Sequence, residues 1–150
     1  MEIKELGHLV LYVKDVQRSA AFYGEVLGWE PAFPVTLGVP AAAFSSGRTH
    51  HELLLIEVGE DAAPQPRGRH LGLYHFGLKV GDSDDELRAV VTRLQEHGVT
   101  IVGSSDHTVT HSLYIHDPDG NEIELYIDVP GVDWKDNPSL IMAPVKPLVL

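Results

Sequence analysis

The sequence contains an internal repeat, in which the two halves match at a spacing of 67 residues. The segment that begins at His8 matches the segment that begins at His75 at corresponding His, Leu, Val and Asp positions, and the same spacing pairs Glu57 with Glu124. A repeat of this length indicates a duplicated supersecondary unit. The chain is therefore predicted to fold as two similar modules, which excludes most other architectures for 150 residues.

Each copy is predicted to contain one strand, one helix and three further strands. Residues 8–13 and 75–80 alternate between the two faces of a strand. A helical stretch follows each strand and is closed by Gly28 in the first copy and by Gly98 in the second. The second helix begins with the capping box Ser83-Asp-Asp-Glu86. The further strands are predicted near 30–34, 40–46 and 51–58 in copy one, and near 99–103, 111–116 and 121–128 in copy two.

These elements predict an α+β fold, in which two βαβββ modules form one curved mixed sheet around a cleft. The chain is treated as a single domain over 1–150, with module one at about 5–58 and module two at about 72–128. The segment 59–71 is rich in proline and glycine, which is typical of a linker. The C-terminal tail 129–150 contains four prolines and is predicted to be non-helical; it either covers the pocket or packs on a partner subunit.

Composition excludes several classes of protein. The absence of cysteine excludes disulfides, thiolate metal sites and a cysteine nucleophile. The formal charge of −11 disfavours binding to nucleic acid or to an anionic membrane surface. No apolar run approaches the ~20 residues that span a bilayer, and the N-terminal residues do not resemble a secretory signal. We therefore expect a soluble, cytoplasmic protein.

The chain contains nine histidines and 22 acidic residues. Two of the histidines and one glutamate occupy positions that predict a metal site. His8 and His75 occupy matching positions on the strand face that points away from the helix. On the last strand, Glu124 lies on the corresponding face, because the alternate isoleucine and leucine side chains face the helix. Two imidazoles and a carboxylate that converge in a cleft suit a first-row divalent metal with open positions, as in non-haem Fe(II) oxygenases.

Three motifs give the chain a resemblance to a known family. They are the strand 7–15 with the Phe22-Tyr23 pair that follows, the Tyr74-His75 pair, and Asp117-Pro-Asp-Gly-Asn-Glu-Ile-Glu124. With these motifs, residues 5–129 resemble the vicinal oxygen chelate superfamily, which includes glyoxalase I, extradiol dioxygenases and antibiotic-resistance proteins. The resemblance implies paired strand–helix–three-strand modules that enclose a metal, and it places the metal ligands at His8, His75 and Glu124.

Within this superfamily, the segment 107–124 resembles the signature of the single-domain type I extradiol (catechol 2,3-) dioxygenases. That resemblance implies an Fe(II)-dependent oxidoreductase that cleaves a catechol-type aromatic diol with O2, in aromatic catabolism. His51 is the expected acid/base residue, while His107 and Tyr114 are expected to hydrogen-bond the substrate or its ring-opening intermediate. The sequence does not separate the role of His107 from that of His111. Because proteins of this superfamily often assemble by pairing modules between chains, the resemblance also implies a homo-oligomer, with a dimer as the expected form.

Two other functions stay open from sequence. A glyoxalase I-like or epimerase-type isomerase or lyase would use Glu57 as a fourth ligand and Mn(II), Ni(II), Zn(II) or Co(II) in place of Fe(II). The other is a metal-free ligand-binding resistance protein. The isomerase gives no reason for His51 or for the His107–Tyr114 group. Many resistance proteins lack the metal residues, whereas this chain keeps all three. Further expectations concern pocket-lining residues, at Phe33, Phe44 and Trp134, and loop or surface histidines, at His70, His97 and His116.

Overall fold

In the computed structural model, which describes residues 1–32, 38–66 and 68–150, the chain divides into two compact units. The first unit spans Met1–Gln65 and the second Pro66–Leu150, so the boundary falls inside the segment predicted as a linker. Each unit contains its own mixed sheet, which confirms the α+β class. That the two sheets continue as one curved sheet in a single domain stays a prediction. Among the residues described, no helix is long and apolar enough to cross a lipid bilayer.

The sheet of the first unit has three strands, and the last of them along the chain lies in the middle of the sheet. The middle strand pairs in parallel with the first strand and antiparallel with the second. Near the strand predicted at 30–34, Pro31 forms an isolated bridge to Phe44, whereas Phe33 lies outside the described residues. The strands are β1 (Leu9–Val13), β2 (Ala41–Phe44) and β3 (Leu53–Glu57).

The helix of the first unit changes type along its length. It begins as α1 (Val16–Ala21), which Asp15 caps by accepting a hydrogen bond from the backbone of the first turn, and continues as a π-helical turn over Phe22–Val26. The wider turn buries two neighbouring aromatic side chains, Phe22 and Tyr23, in the same core. Gly28 follows with a φ of 72°, so the helix ends at the predicted glycine for the predicted reason.

The second unit has four strands, which lie side by side in the order first, fourth, third and second along the chain. The first and fourth strands are parallel, and the other neighbouring pairs are antiparallel. The strand predicted at 99–103 lies later in the chain, because Gly98 takes a left-handed conformation and four residues then connect the helix to the sheet. The elements are β4 (His75–Gly81), α2 (Asp84–Glu96), β5 (Gly103–Asp106), β6 (Thr110–His116) and β7 (Glu122–Asp128).

The start of α2 confirms the predicted capping box. Ser83 Oγ accepts a hydrogen bond from the backbone N–H of Glu86, and Glu86 Oε2 accepts one from the N–H of Asp82. The N–H of Asp82 is the main reason why the pKa of Glu86 lies below its usual value, followed by the Ser83 hydroxyl. One helix face is apolar and lies on the sheet, where Leu87 packs in a buried cluster with side chains of β6 and β7.

The C-terminal tail differs from its predicted non-helical form. Pro138–Met142 form a turn of 3₁₀ helix, which begins at a proline because the first helical position needs no N–H donor. Further on, Lys146 exchanges two backbone hydrogen bonds with Asp106, each 2.9 Å long. Leu148 packs against the buried cluster beneath α2. The tail therefore packs on its own unit.

Gly81 is predicted to tolerate no side chain. A Cβ built there would lie 2.7 Å from Glu86 Cβ and 2.8 Å from Glu86 Cδ, so the capping residue of α2 would have to move. We expect Gly81→Ala to lower the free energy of unfolding by about 1–3 kcal/mol, the usual cost of overpacking, in urea denaturation. Gly7→Ala is the control, because a Cβ at Gly7 meets nothing within 4 Å. Equal midpoints for both variants would contradict the packing argument.

Candidate active site

The parallel pairing of β4 and β7 places a histidine and several polar residues on one face of the sheet. His75 lies opposite Glu122, and Gly77 lies opposite Glu124. The intervening residues of β7 are buried, and Ile127 packs in the cluster beneath α2. The polar face therefore points away from the helix, as strand alternation predicts.

Glu124 is held between two groups of this face, one at each carboxylate oxygen. Its Oε2 lies 3.3 Å from His75 Nε2, and its Oε1 accepts a hydrogen bond of 3.2 Å from the Tyr114 hydroxyl. The Tyr114 oxygen lies 2.8 Å from His107 Nε2. Because the single proton of the phenol is directed to Glu124, the hydrogen bond with His107 requires that Nε2 of His107 carries the donated proton.

The Tyr114 hydroxyl keeps its proton in this arrangement and can therefore donate a hydrogen bond. Burial raises the pKa of Tyr114 to about 12, and the negative charge of Glu124 adds to the effect. The phenol therefore stays protonated far above neutral pH. Its hydrogen bond occupies one oxygen of Glu124 and leaves the other directed at His75.

A tight turn between β6 and β7 sets the register on which this contact depends. Asp117 Oδ1 accepts hydrogen bonds from the backbone N–H groups of Asp119 and Asn121, and Gly120 has a φ of 91°. The turn pairs Tyr114 with Glu124 across the two strands. The Asp-Pro-Asp-Gly motif thus forms the hairpin turn that its proline and glycine favour, and it determines which acidic side chain lies beside the tyrosine.

The structure separates the two histidines that the sequence leaves equivalent. His111 Nδ1 lies 2.6 Å from Asp84 Oδ1 in the first turn of α2, and its Nε2 lies 3.8 Å from Asp106 Oδ1. It therefore lies on the helix side of the sheet, while His107 contacts Tyr114 on the opposite side. Alternation along β6 places residue 111 on the face opposite Tyr114, and that signal was available from sequence.

His107 belongs to a strained hairpin. The next residue, Thr108, has a φ of 72°, a left-handed conformation that a β-branched residue rarely adopts. Its N–H donates to Asp106 Oδ1 over 2.7 Å, and the N–H of His107 donates to the carbonyl of Thr110 over 2.9 Å. These bonds hold the turn and with it the ring of His107.

In the first unit, three histidine rings lie together. His8 directly precedes β1, and its ring centroid lies 4.7 Å from that of His51 and 6.3 Å from that of His50. Burial lowers the pKa of His51, and the positive charges that His50 and His8 can carry lower it further. The neutral form of His51, which can accept a proton, is thereby favoured near neutral pH.

Arg48 holds together the two segments that carry His8 and His51. No motif in the sequence indicates this role. Its Nη2 donates to the carbonyl oxygens of Leu6 and Gly7, each over 3.2 Å. Its Nε lies 3.4 Å from Glu52 Oε1. One guanidinium thus connects the residues before His8 with the loop that carries His50 and His51.

Glu57 does not occupy the position that a fourth metal ligand requires. It lies opposite Val13 at the end of β3, and its Oε2 accepts a hydrogen bond of 2.9 Å from the N–H of Val16 at the start of α1. In the register of the parallel strands, the residue that corresponds to Glu124 is Leu54. Gly77 lies opposite Glu124, and Val10, its repeat partner, lies opposite Leu54.

The predicted pairing of Glu57 with Glu124 is therefore wrong. The spacing between the copies is 67 residues at the first strand, from Val10 to Gly77, and 70 at the last strand, from Leu54 to Glu124. The three extra residues lie between the paired strands, where a sequence match at a single spacing cannot detect them. Glu57 stabilises the start of a helix instead.

The donors of the second unit fit a cation. Two ligands bound at right angles to a metal, with bonds of about 2.1 Å, lie about 3.0 Å apart, and His75 Nε2 and Glu124 Oε2 are separated by 3.3 Å. One nitrogen and one oxygen suit a first-row divalent metal. Among the described residues of each unit, no cluster of three or more His, Asp or Glu side chains is arranged so that it could bind one metal ion. The participation of His8 stays a prediction.

A pocket of about 300 Å³ opens beside Glu124 in the second unit. This volume is at the lower end of the range for small-molecule sites. Trp134 lines it as predicted, whereas Phe44 is only 2% exposed and packs against Tyr23 and Trp29 in the core of the first unit. The lining residues are Val109, Thr110, Glu124, Tyr126, Asp128, Trp134 and Ile141.

Comparison with known proteins agrees with this fold. The sequence profile of the glyoxalase/bleomycin resistance protein/dioxygenase superfamily matches residues 5–125, so the chain belongs to that superfamily. The structure is similar to the crystal structure of a glyoxalase/dioxygenase from Nostoc punctiforme, with a TM-score of 0.68 and 23% identity, over 83% of this chain and 91% of that one.

Two curated relatives differ in activity. The chain is 36% identical to a catechol-2,3-dioxygenase of Bacillus subtilis (strain 168) over 89% of its own length, but it spans only 45% of that protein. It is 27% identical to the glutathione transferase FosA of Serratia marcescens, over 83% of this chain and 82% of that protein. Membership of the superfamily therefore does not decide the reaction.

Replacement of Glu57 tests whether it is a ligand or a helix cap. We expect Glu57→Ala to lower the free energy of unfolding by about 1 kcal/mol, as the loss of a cap does. Its affinity for Zn(II), measured by calorimetry, should equal that of the wild type. Glu60→Ala, at an exposed residue three positions later, is the control and should change neither quantity. A large loss of Zn(II) affinity in Glu57→Ala would restore Glu57 as a ligand.

Proposed function

We propose that the chain is an Fe(II)-dependent extradiol dioxygenase, an oxidoreductase that cleaves the ring of a catechol-type aromatic diol with O2. In this proposal His8, His75 and Glu124 hold the metal. His51, His107 and Tyr114 act on the substrate. The three metal ligands would leave a bound Fe(II) with open positions, and the chemistry it would supply is the activation of O2 towards an electron-rich diol.

The proposal rests on the two oxygens of the Glu124 carboxylate, which have different partners. Tyr114 donates to Oε1, and Oε2 faces His75 Nε2 at 3.3 Å. A carboxylate held in this way presents one oxygen to a cation and keeps the other satisfied. An accompanying histidine, His107, keeps the tyrosine in place over 2.8 Å. Such outer partners orient ligands and are typical of functional metal sites.

The pocket beside Glu124 supports an aromatic substrate. Trp134, Ile141 and Val109 provide apolar surface against which a ring can pack. Asp128, the other charged lining residue, is paired with Lys79 Nζ over 2.7 Å. In the proposal, His107 and Tyr114 hydrogen-bond the substrate next to Glu124, for which the single proton of Tyr114 turns from Glu124 Oε1 to a substrate oxygen.

The proposed role of His51 is to accept a proton from the diol and to return it later. Its ring lies beside that of His8 in the first unit, and an imidazole is suited to both steps near neutral pH. The similarity to the catechol-2,3-dioxygenase adds support, although the chain spans less than half of that protein. Fe(II) rather than Mn(II), Ni(II), Zn(II) or Co(II), and a homodimer, belong to the same proposal.

The decisive experiment is anaerobic reconstitution with Fe(II), followed by catechol and oxygenated buffer. We expect O2 uptake in step with the appearance of a yellow ring-opened product. His75→Ala should abolish both signals, because it removes a proposed ligand. His70→Ala is the matched control, since His70 is exposed and contacts the backbone of Gly68. Binding of catechol without O2 uptake by the Fe(II)-loaded protein would favour a binding protein instead.

A second variant tests the base. We expect His51→Phe to retain bound iron, measured by colorimetric assay, while kcat falls by about 10²–10⁴-fold, the usual contribution of general acid–base catalysis. His70→Phe should behave as the wild type. If His51→Phe turns over at the wild-type rate, His51 has no part in proton transfer.

A further inference from the structure

Glu122 lies beside the buried nitrogen of His75 that faces away from Glu124. His75 Nδ1 has no hydrogen-bond partner within the described part of the chain. The neighbouring carboxylate oxygen, Glu122 Oε1, lies 3.4 Å from it. The imidazole is therefore flanked by an acidic oxygen at each nitrogen, since Nε2 lies 3.3 Å from Glu124 Oε2.

Only one of these nitrogens can serve a cation. Glu124 and His75 Nε2 fit two positions around one metal, as their separation indicates. A neutral imidazole that binds a metal through Nε2 carries its proton on Nδ1. That N–H is buried, so it needs an acceptor, and a small movement of the Glu122 side chain would supply one.

Other contacts hold the Glu122 carboxylate near this place. Strand pairing fixes its backbone directly opposite His75 on one side and opposite His116 on the other. Tyr74 hydrogen-bonds the carboxylate, whose charge is the main reason that the pKa of Tyr74 is raised. His116 Nε2 lies 3.9 Å from Glu122 Oε2. The carboxylate is therefore held between His75 and His116, with Oε1 on the His75 side and Oε2 on the His116 side.

We propose that Glu122 is a positioning residue for His75: it accepts the hydrogen bond of Nδ1–H and thereby directs the lone pair of Nε2 at the cation held by Glu124. This inference rests on the metal site of the proposed function. It assigns a role to a residue that lies two positions before Glu124, on the same face of the strand.

The test measures Zn(II) binding and the Nδ1–H of His75, with no turnover required. In 15N-histidine-labelled, Zn(II)-loaded protein, we expect an Nδ1–H cross-peak that His75→Gln removes. Glu122→Ala should lose this peak to solvent exchange and bind Zn(II) about 10–100-fold more weakly, the typical effect of removing such a partner. Glu122→Gln keeps an acceptor oxygen and should recover the peak and most of the affinity.

Glu96→Gln, on the exposed face of α2, is the carboxylate control and should match the wild type. Unchanged affinity in Glu122→Ala, or Glu122→Gln as impaired as Glu122→Ala, would overturn the inference alone. Absence of the Nδ1–H peak in the Zn(II)-loaded wild type would also overturn it, even if Glu122→Ala does not fold. Failure of the wild type to bind Zn(II) would overturn the metal site and this inference together.

Discussion

The parallel pairing of β4 with β7 is the constraint on which the candidate site depends. It places His75 opposite Glu122 and brings Glu124 to the next position on the same face. Because strand residues alternate, the same pairing turns the isoleucine and leucine side chains of β7 towards α2. A shift of one residue in either strand would bury the carboxylates and expose the core. Stability and chemistry therefore require the same register.

The site is assembled by successive hydrogen bonds rather than by any single residue. The 117–121 turn sets how β6 meets β7, which places Tyr114 at Glu124. A buried, protonated phenol then fixes one carboxylate oxygen, and His107 fixes the phenol. Each partner limits the freedom of the next, so the donors of the proposed metal site are held in place, which would lower the cost of binding a cation.

Much of this could be predicted from sequence, because it follows from local patterns. The alternating strands predicted at 8–13 and 75–80, the capping box before α2 and the glycines at helix ends depend on neighbouring residues, and these are found where they are predicted. Errors arose where residues distant in sequence decide the outcome. Glu57 matches Glu124 at a spacing of 67, yet strand pairing relates Glu124 to Leu54. Phe44 has an aromatic ring suited to a pocket, but Tyr23 and Trp29 enclose it.

By itself, the sequence determined two modules of one kind, the strand faces that carry His75 and Glu124, and the hairpin before Glu124. Alternation and turn chemistry are properties of short segments, so they can be read without the fold. Only the tertiary structure decided that the ring of His107 contacts Tyr114, that Glu57 caps α1, and that Glu122 lies at Nδ1 of His75. Those outcomes depend on which strands pair and at what register, and long-range packing alone sets both.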